Sequence, residues 1–328
     1  MKKLVKIGMA AALLVLGLAG CGRPNLAVDH HHLNPDGLGV VIKGQSKHQS
    51  VNYQVDNGKK QTEKTYNGTF ALTVPAKTTT QKVVFTAGGT KKSVTVGKAQ
   101  SIITYPKLQQ KYNQAITAMA LSQSDRRKAV AMQKQAAALK QQQQQLVAKI
   151  AADKKKLAAG DTSAAADLKA QAAKGAQLKA QGKKLQAAGA SVQAAMKRAK
   201  SKVSDQLLPA NGKPGVHNLV TTKDVTIRTN LDHNQVVGVA LMVPVSAMKN
   251  KQQAKKFITS FSVLADSAGA NAKKIMKDFQ KQAKSSKTSQ TTNKTLRSNG
   301  ISFQIGYSAT TLYIYMTKNE LVIHQSRG

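Results

Sequence analysis

Apolar and polar residues alternate in short runs between positions 38 and 98. Val40 and Ile42 lie in one run, Val51, Tyr53 and Val55 in the next, and Phe70, Leu72 and Val74 in a third. Val83 and Phe85 follow, then Val94 and Val96. A period of two is the signature of half-buried strands. Asn57-Gly58, Asn67-Gly68 and Gly88-Gly89 separate the runs, and such pairs supply the positive φ angles of tight hairpins. Residues 38–98 are therefore expected to form a small β-sandwich domain.

The pattern changes at 106. Between Pro106 and Pro209 there is no proline, and Ala, Gln, Lys and Leu dominate; all are good helix formers. Gly160, Asp161 and Thr162 interrupt the stretch near its middle, where Gly160 can end one helix and Asp161 or Thr162 can cap the next. This predicts a helical hairpin over 106–208, with two helices of roughly 50 and 45 residues, each about 70 Å long. Met132, Leu139 and Leu146 recur every seven residues, with Ala129, Ala136, Ile150 and Leu157 on a companion register. Leu178, Leu185 and Val192 do the same in the second helix, as do Gly175, Gly182, Gly189, Met196 and Val203. Seven-residue recurrence predicts an antiparallel coiled coil. Each glycine costs about 1 kcal/mol of helix propensity relative to alanine, and close approach of the two backbones is the expected return.

Residues 216–328 predict a third unit. Val225 to Ile227 and Val236 to Val243 read as strands joined by a turn at Asp232–Asn234. Pro244 ends the second strand, and Ser246 is a candidate helix cap. Phe257, Phe261 and Leu264 recur at helical spacing, as do Ile275 and Phe279 after Gly269. Ile301, Phe303, Ile305 and Tyr307 alternate, then Leu312, Ile314 and Met316. The polar segment 284–299 between them reads as a loop. The order ββααββ predicts a sheet covered on one face by helices, an α+β sandwich. Tyr313 and Tyr315 fall on the opposite face, as a binding surface if that face is open or as half-exposed strand positions if it is not. The fold class expected for the whole chain is multidomain α+β.

The N-terminus carries a different pattern. Lys2, Lys3 and Lys6 precede an apolar run from Ile7 to Leu18, which is short for a bilayer span. The run ends in Leu18-Ala19-Gly20-Cys21. This order of charge, apolar run, small residues and cysteine resembles the lipobox signal peptide of bacterial lipoproteins. The resemblance implies that residues 1–20 are a signal peptide, cut between Gly20 and Cys21. It also implies a diacylglyceryl thioether on Cys21, and two acyl chains suffice for stable anchoring. Residues 21–37, with two prolines and several Asx residues, then read as a tether. The expected location is the extracellular face of a cell membrane. Cys21 is the single cysteine, which leaves no intramolecular disulfide; exported proteins of Gram-positive, lactic-acid-bacterium-like organisms are similar in this. The β domain also resembles, in architecture, the immunoglobulin-like sandwiches of bacterial surfaces.

Charge narrows the partners. The formal net charge is +37, with only two glutamates and seven arginines. Lysine is a hydrated point charge, whereas arginine forks onto phosphate or carboxylate. Diffuse attraction to a polyanion is the expected consequence. Teichoic acid and anionic lipid are the candidates for an exported lipoprotein. The charge also admits a plainer role, in solubility or an acidic habitat. Nucleic acid ranks lower, because no aromatic residue lies between Tyr112 and Phe257 to stack on bases. Acidic residues that would pair with the helical lysines are few. The hairpin is therefore expected to be marginal alone and to rely on a protein partner, a polyanion or self-association.

Catalytic chemistry is sparse. His30, His31 and His32, with Asp29 and Asp36 nearby, are weak metal candidates, and plain linker is the alternative. Glu320 and His324 lie in a β-like run and would not share a helical face. Gly306-Tyr307-Ser308-Ala309 lacks the second glycine of a nucleophile elbow. No phosphate loop, dinucleotide fingerprint or zinc-hydrolase motif occurs. A non-enzymatic surface protein without cofactor is expected. The alternatives are a sensory lipoprotein that captures a small molecule or peptide through its C-terminal domain, and, lower, a phage-exclusion or DNA-handling factor.

Overall fold

The computed structural model describes residues 23–285 and 295–318. These form a mixed α+β protein of three sheets and six helices, in two compact units. Residues 1–22, with Gly20 and Cys21, lie outside the described residues. So do 286–294 within the expected polar loop, and 319–328 with Glu320 and His324.

The first unit takes in residues 23–35, 39–74 and 79–98. Its strands are β1 (Ala27–Val28), β2 (His32–Leu33), β3 (Gly39–Gln45), β4 (Ser50–Val55), β5 (Gln61–Lys64), β6 (Thr69–Pro75), β7 (Gln81–Ala87) and β8 (Thr90–Val96). One sheet has the order β1-β3-β6 and the other β2-β8-β7-β4-β5. Alternate residues face inward, as the period of two requires. Val40, Ile42, Phe70, Leu72 and Val74 of one sheet share a core with Val51, Val83, Phe85, Val94 and Val96 of the other. The Phe70 and Phe85 rings meet with centroids 5.1 Å apart. Gly88 and Gly89 both have positive φ and turn β7 into β8 in two residues. Asn67 and Gly68 also have positive φ, and close a two-residue turn between the bridged Tyr66 and Thr69. At the first expected turn the left-handed residue is Asp56, not Asn57 or Gly58.

The expected tether over 21–37 is corrected. Leu26 is 3% exposed and belongs to the core. β1 pairs antiparallel with β3, and β2 pairs parallel with β8. Pairing satisfies backbone groups that a free tether would leave to water.

The second unit takes in residues 99 onward together with 36–38 and 75–78. Its elements are β9 (Ile103–Thr104), α1 (Tyr105–Met119), α2 (Gln123–Ala158), α3 (Ser163–Lys202), β10 (Gly215–Thr221), β11 (Thr226–Asp232), β12 (Gln235–Pro244), α4 (Val245–Met248), α5 (Lys251–Ala268), α6 (Ala272–Ser285), β13 (Leu296–Ser298), β14 (Ile301–Tyr307) and β15 (Thr311–Lys318). The antiparallel sheet runs β10-β11-β12-β15-β14-β13, and β9 also pairs with β12. The expected ββααββ order thus gains a strand, β10, before its first pair and another, β13, before its last. His233 and Asn234, both at positive φ, turn β11 into β12. Asn250, not Ser246, caps α5, accepting from the N–H groups of Gln252 at 2.9 Å and Gln253 at 3.2 Å. Gly269, at φ 101°, ends it.

The first expected helix is two helices. Ser122 accepts the Asp125 N–H at 3.0 Å and donates its hydroxyl to the Asp125 carboxylate at 2.7 Å, starting α2 afresh. Ser122 is thus the N-cap of α2, with Asp125 in the first turn bonded to its hydroxyl. The preceding α1 belongs to the sheet's core. Tyr105, Leu108, Tyr112 and Ile116 pack in one cluster with Ile227, Leu241, Phe261, Leu264, Ile275, Phe303, Ile314 and Met316. Four helices, α1, α4, α5 and α6, therefore contribute to that cluster, not two. Asn113 ties the chain leaving α3 back to α1, donating to the Leu208 carbonyl and accepting the Leu208 N–H, both at 2.8 Å.

Candidate functional site

The α2–α3 hairpin is built on a seam with a simple rule. Gly189 faces Met132, Gly182 faces Leu139 and Gly175 faces Leu146, so large side chains of α2 lie on glycines of α3 in antiparallel register. Across these three pairs, burial follows the seven-residue recurrence on both helices. The reason expected for the glycines is revised, however. A Cβ added at Gly182 or Gly175 would meet the facing leucine at 3.6 or 3.7 Å, an ordinary van der Waals distance. At these two positions the glycines bring leucine against bare helix, yet the space would admit alanine; at Gly189 the Met132 methyl, 3.3 Å from such a Cβ, would have to give.

One further heptad step beyond Leu146 brings the seam to Asp153, which is 3% exposed. Its carboxylate accepts a hydrogen bond from the buried Gln171 side chain, and Lys156 Nζ stands 3.4 Å away, one turn on. At the hairpin tip Gly160 has φ 92°, and Asp161 accepts the Ser163 N–H at 3.0 Å and hydroxyl at 2.6 Å. These donors hold the Asp161 carboxyl below its ordinary pKa.

Charge on the hairpin is one-sided. α2 carries nine Lys or Arg and α3 another nine, against Asp125, Asp153 and Asp167. Asp125 is engaged in the cap and Asp153 in the seam, which leaves Asp167 facing eighteen cations. Between the helices, Leu139 and Leu185 floor a groove of about 500 Å³ edged by Gln135, Gln142, Gln181 and Lys184.

Tyr313 and Tyr315 do share the sheet face turned from the helices. Their rings are nearly parallel, 5° apart, with centroids at 6.0 Å. A single rung runs Asn218, Arg228, Ala240, Tyr315, Gln304 across five strands. Arg228 donates to Asn218 at 2.7 Å, and Gln304 donates to Asp36 at 2.9 Å. The face is not fully open. Gly37 lies beside Tyr315, Leu38 lies over Gly238, and Asn230 donates to the carbonyls of Leu38 at 2.9 Å and Ala76 at 2.7 Å. Burial raises the Tyr315 pKa, the neighbouring Tyr313 adds to the rise, and Arg228 opposes it. Asp232 accepts both the N–H of Thr78 at 2.7 Å and its hydroxyl at 2.5 Å, and its other oxygen lies 2.9 Å from His233 Nδ1. Burial pushes this carboxyl up, but the Thr78 donors and His233 outweigh it, so its pKa is lowered.

A pocket of about 150 Å³ lies beside Asp224, Lys256 and Ser260. Its carboxylate is already engaged, by Lys256 Nζ at 2.8 Å and Gln253 Nε2 at 2.9 Å. The Lys256 bond does most to lower the Asp224 pKa; burial works against it and Gln253 adds to it.

The three histidines do not come together as a site. His31 donates to the Ser93 carbonyl at 2.9 Å, and His32 is the first residue of β2. Among the described residues no group of three or more His, Cys, Asp or Glu is placed to hold a metal ion. No described helix is long and apolar enough to cross a membrane. Comparison with known protein families and with curated proteins finds no match to the chain.

The buried Asp153–Gln171 pair is the feature that sequence reading missed. Its signal was present: Asp153 stands seven residues after Leu146 and Gln171 seven before Leu178.

Proposed function

We propose that this chain is a non-enzymatic lipoprotein on the extracellular face of the cell membrane, anchored through Cys21, which adheres to anionic envelope material. The lipid would hold the protein, and the lysines would supply the adhesion. The observation that carries the adhesion is the hairpin's surface of eighteen cations, with the Asp125 carboxylate engaged in the cap of α2 and that of Asp153 in the seam. In this reading 38–98 is an immunoglobulin-like module, α2–α3 a coiled coil, and the C-terminal sheet with its helices an α+β sandwich. The two-sheet core, the heptad seam and the helix-covered sheet support those three descriptions.

A second reading, capture of a small molecule or peptide, draws on the parallel Tyr313–Tyr315 pair beside Arg228. The test is retention of the mature chain on isolated Gram-positive cell walls before and after extraction of their teichoic acid. Retention that disappears on extraction is expected. Equal retention on both wall preparations would exclude the polymer as the ligand.

A further inference from the structure

We infer that the α2–α3 hairpin engages a flexible linear phosphodiester polymer, binding by number of phosphates without reading what lies between them. The inference rests on the polyanion reading above and names its element and ligand.

The distribution of charge is the first reason. In α2 the seam lines run through Ala129 to Leu157 and Met132 to Asp153. Lys140 and Lys154 follow one line outside the seam, Lys134 and Lys155 a second, and Lys149 and Lys156 a third. Successive lines stand about 100° apart at 3.6 residues per turn. The cations therefore surround α2 on every side that α3 does not cover. A flat bilayer can meet only one such side at a time, whereas a flexible chain can follow all of them.

The second reason is that no continuous apolar face of α2 is left to insert into lipid. Surface-bound amphipathic helices bury a continuous apolar face. Here Met132, Leu139 and Leu146 are spent on the glycines of the seam. The exposed large apolar side chains of α2 are Val130, Val147 and Leu157, and they fall on three different lines.

The third reason concerns what is read. At 1.5 Å per residue the helices of 36 and 40 residues are about 54 and 60 Å long. Nine cations on each give one charge in roughly 6 Å of helix, a linear density suited to a chain of successive phosphates. Most are lysines, whose mobile point charges impose no fork geometry. No aromatic side chain lies between Tyr112 and Phe257 to stack on a base. A second copy of the hairpin would bring like charge to like charge.

The test titrates the mature full chain with poly(glycerol phosphate), with oligo(dT) of the same phosphate number, and with vesicles of equal parts phosphatidylglycerol and phosphatidylcholine. For six to ten phosphates engaged, the logarithm of affinity should fall with the logarithm of salt at a slope of about 4 to 7. The two polymers should agree within about threefold, and the vesicles should bind at least about tenfold more weakly per accessible charge. A variant with Gln at Lys134, Lys140, Lys149, Lys154 and Lys155 should lose about tenfold or more at low salt and show a shallower slope. Arg at the same five positions should restore binding. A control with Gln at Lys59, Lys60, Lys91, Lys92 and Lys98 should bind within about twofold of the parent.

Loss in the control but not in the hairpin variant would overturn this inference while leaving polyanion affinity intact. Tighter binding to vesicles would make the bilayer the partner. A preference for oligo(dT) above about tenfold would mean that bases are read. Failure to bind any polyanion would remove the parent reading as well.

Discussion

The Gln171 side-chain amide donates to the Asp153 carboxylate inside the seam between α2 and α3. Asp153 continues the line of Met132, Leu139 and Leu146, so a register of apolar contacts closes on a buried polar pair. A polar pair at a seam position favours the one alignment that satisfies both partners. Replacing Asp153 by Ala should strand the Gln171 amide and cost about 1–3 kcal/mol. Replacing both residues by Leu should leave stability equal or higher, since apolar replacement of a buried polar pair is often neutral or favourable. Urea unfolding followed by circular dichroism measures both. A double variant as weak as the single one would show that the pair is not coupled.

The glycine seam makes a prediction of opposite sign to its usual interpretation. Because a Cβ at Gly182 would sit 3.6 Å from Leu139, Gly182→Ala should stabilise the hairpin by up to about 1 kcal/mol through helix propensity. Gly182→Leu should destabilise it, since the larger side chain overfills the space that Leu139 occupies. Thermal unfolding of the two variants checks the order. A loss of stability with alanine would mean that the helices need the closer approach.

Acid should weaken the second unit through Asp232. Its folded pKa lies below the ordinary 3.8, so its stabilising contribution is complete above that value. The contribution is lost as pH falls through the lower folded pKa. Asp232→Asn should therefore flatten the acid limb of stability below about pH 4, while lowering stability at neutral pH. Urea midpoints across the acid range read the difference. An unchanged acid limb would mean that the Thr78 bonds contribute nothing in solution.

The tyrosine pair separates the two functional readings. Tyr313→Leu with Tyr315→Leu should leave polymer affinity within about twofold, because the cations proposed to carry it lie on α2 and α3. A loss above about tenfold would move the binding surface to the sheet.

How much of this was legible in the sequence depends on the range of the contacts involved. Alternation from Val40 to Val96 and the Gly88-Gly89 turn are local, and they fold as read. The strands at Ala27–Val28 and His32–Leu33 are too short to show a period, so Pro24, Pro35 and the Asx residues dominated the reading. β10 was missed because only Val220 in it is buried and because it carries a register shift between Asn218 and Val220. Helix-forming composition runs on past residue 119 and masked the boundary at Ser122. The different spacing of Tyr105, Leu108, Tyr112 and Ile116 already set α1 apart from the heptads. Lysine density was plain from the sequence. Which sides of α2 stay free was not, because that depends on where α3 packs. The cover that residues 36–38 place over Tyr315 comes from far away in the chain, and no local pattern announces it.

Two forces are proposed to hold the protein at the envelope: a lipid on Cys21 and lysine adhesion. Fractionation of cells that express the parent chain or Cys21→Ser, washed at low salt and then at about 1 M salt, tests both at once. The account predicts that the parent stays with the envelope in both washes. It predicts that Cys21→Ser stays at low salt and is released at high salt. Release of Cys21→Ser already at low salt would contradict the adhesion, and release of the parent at high salt would contradict the anchor.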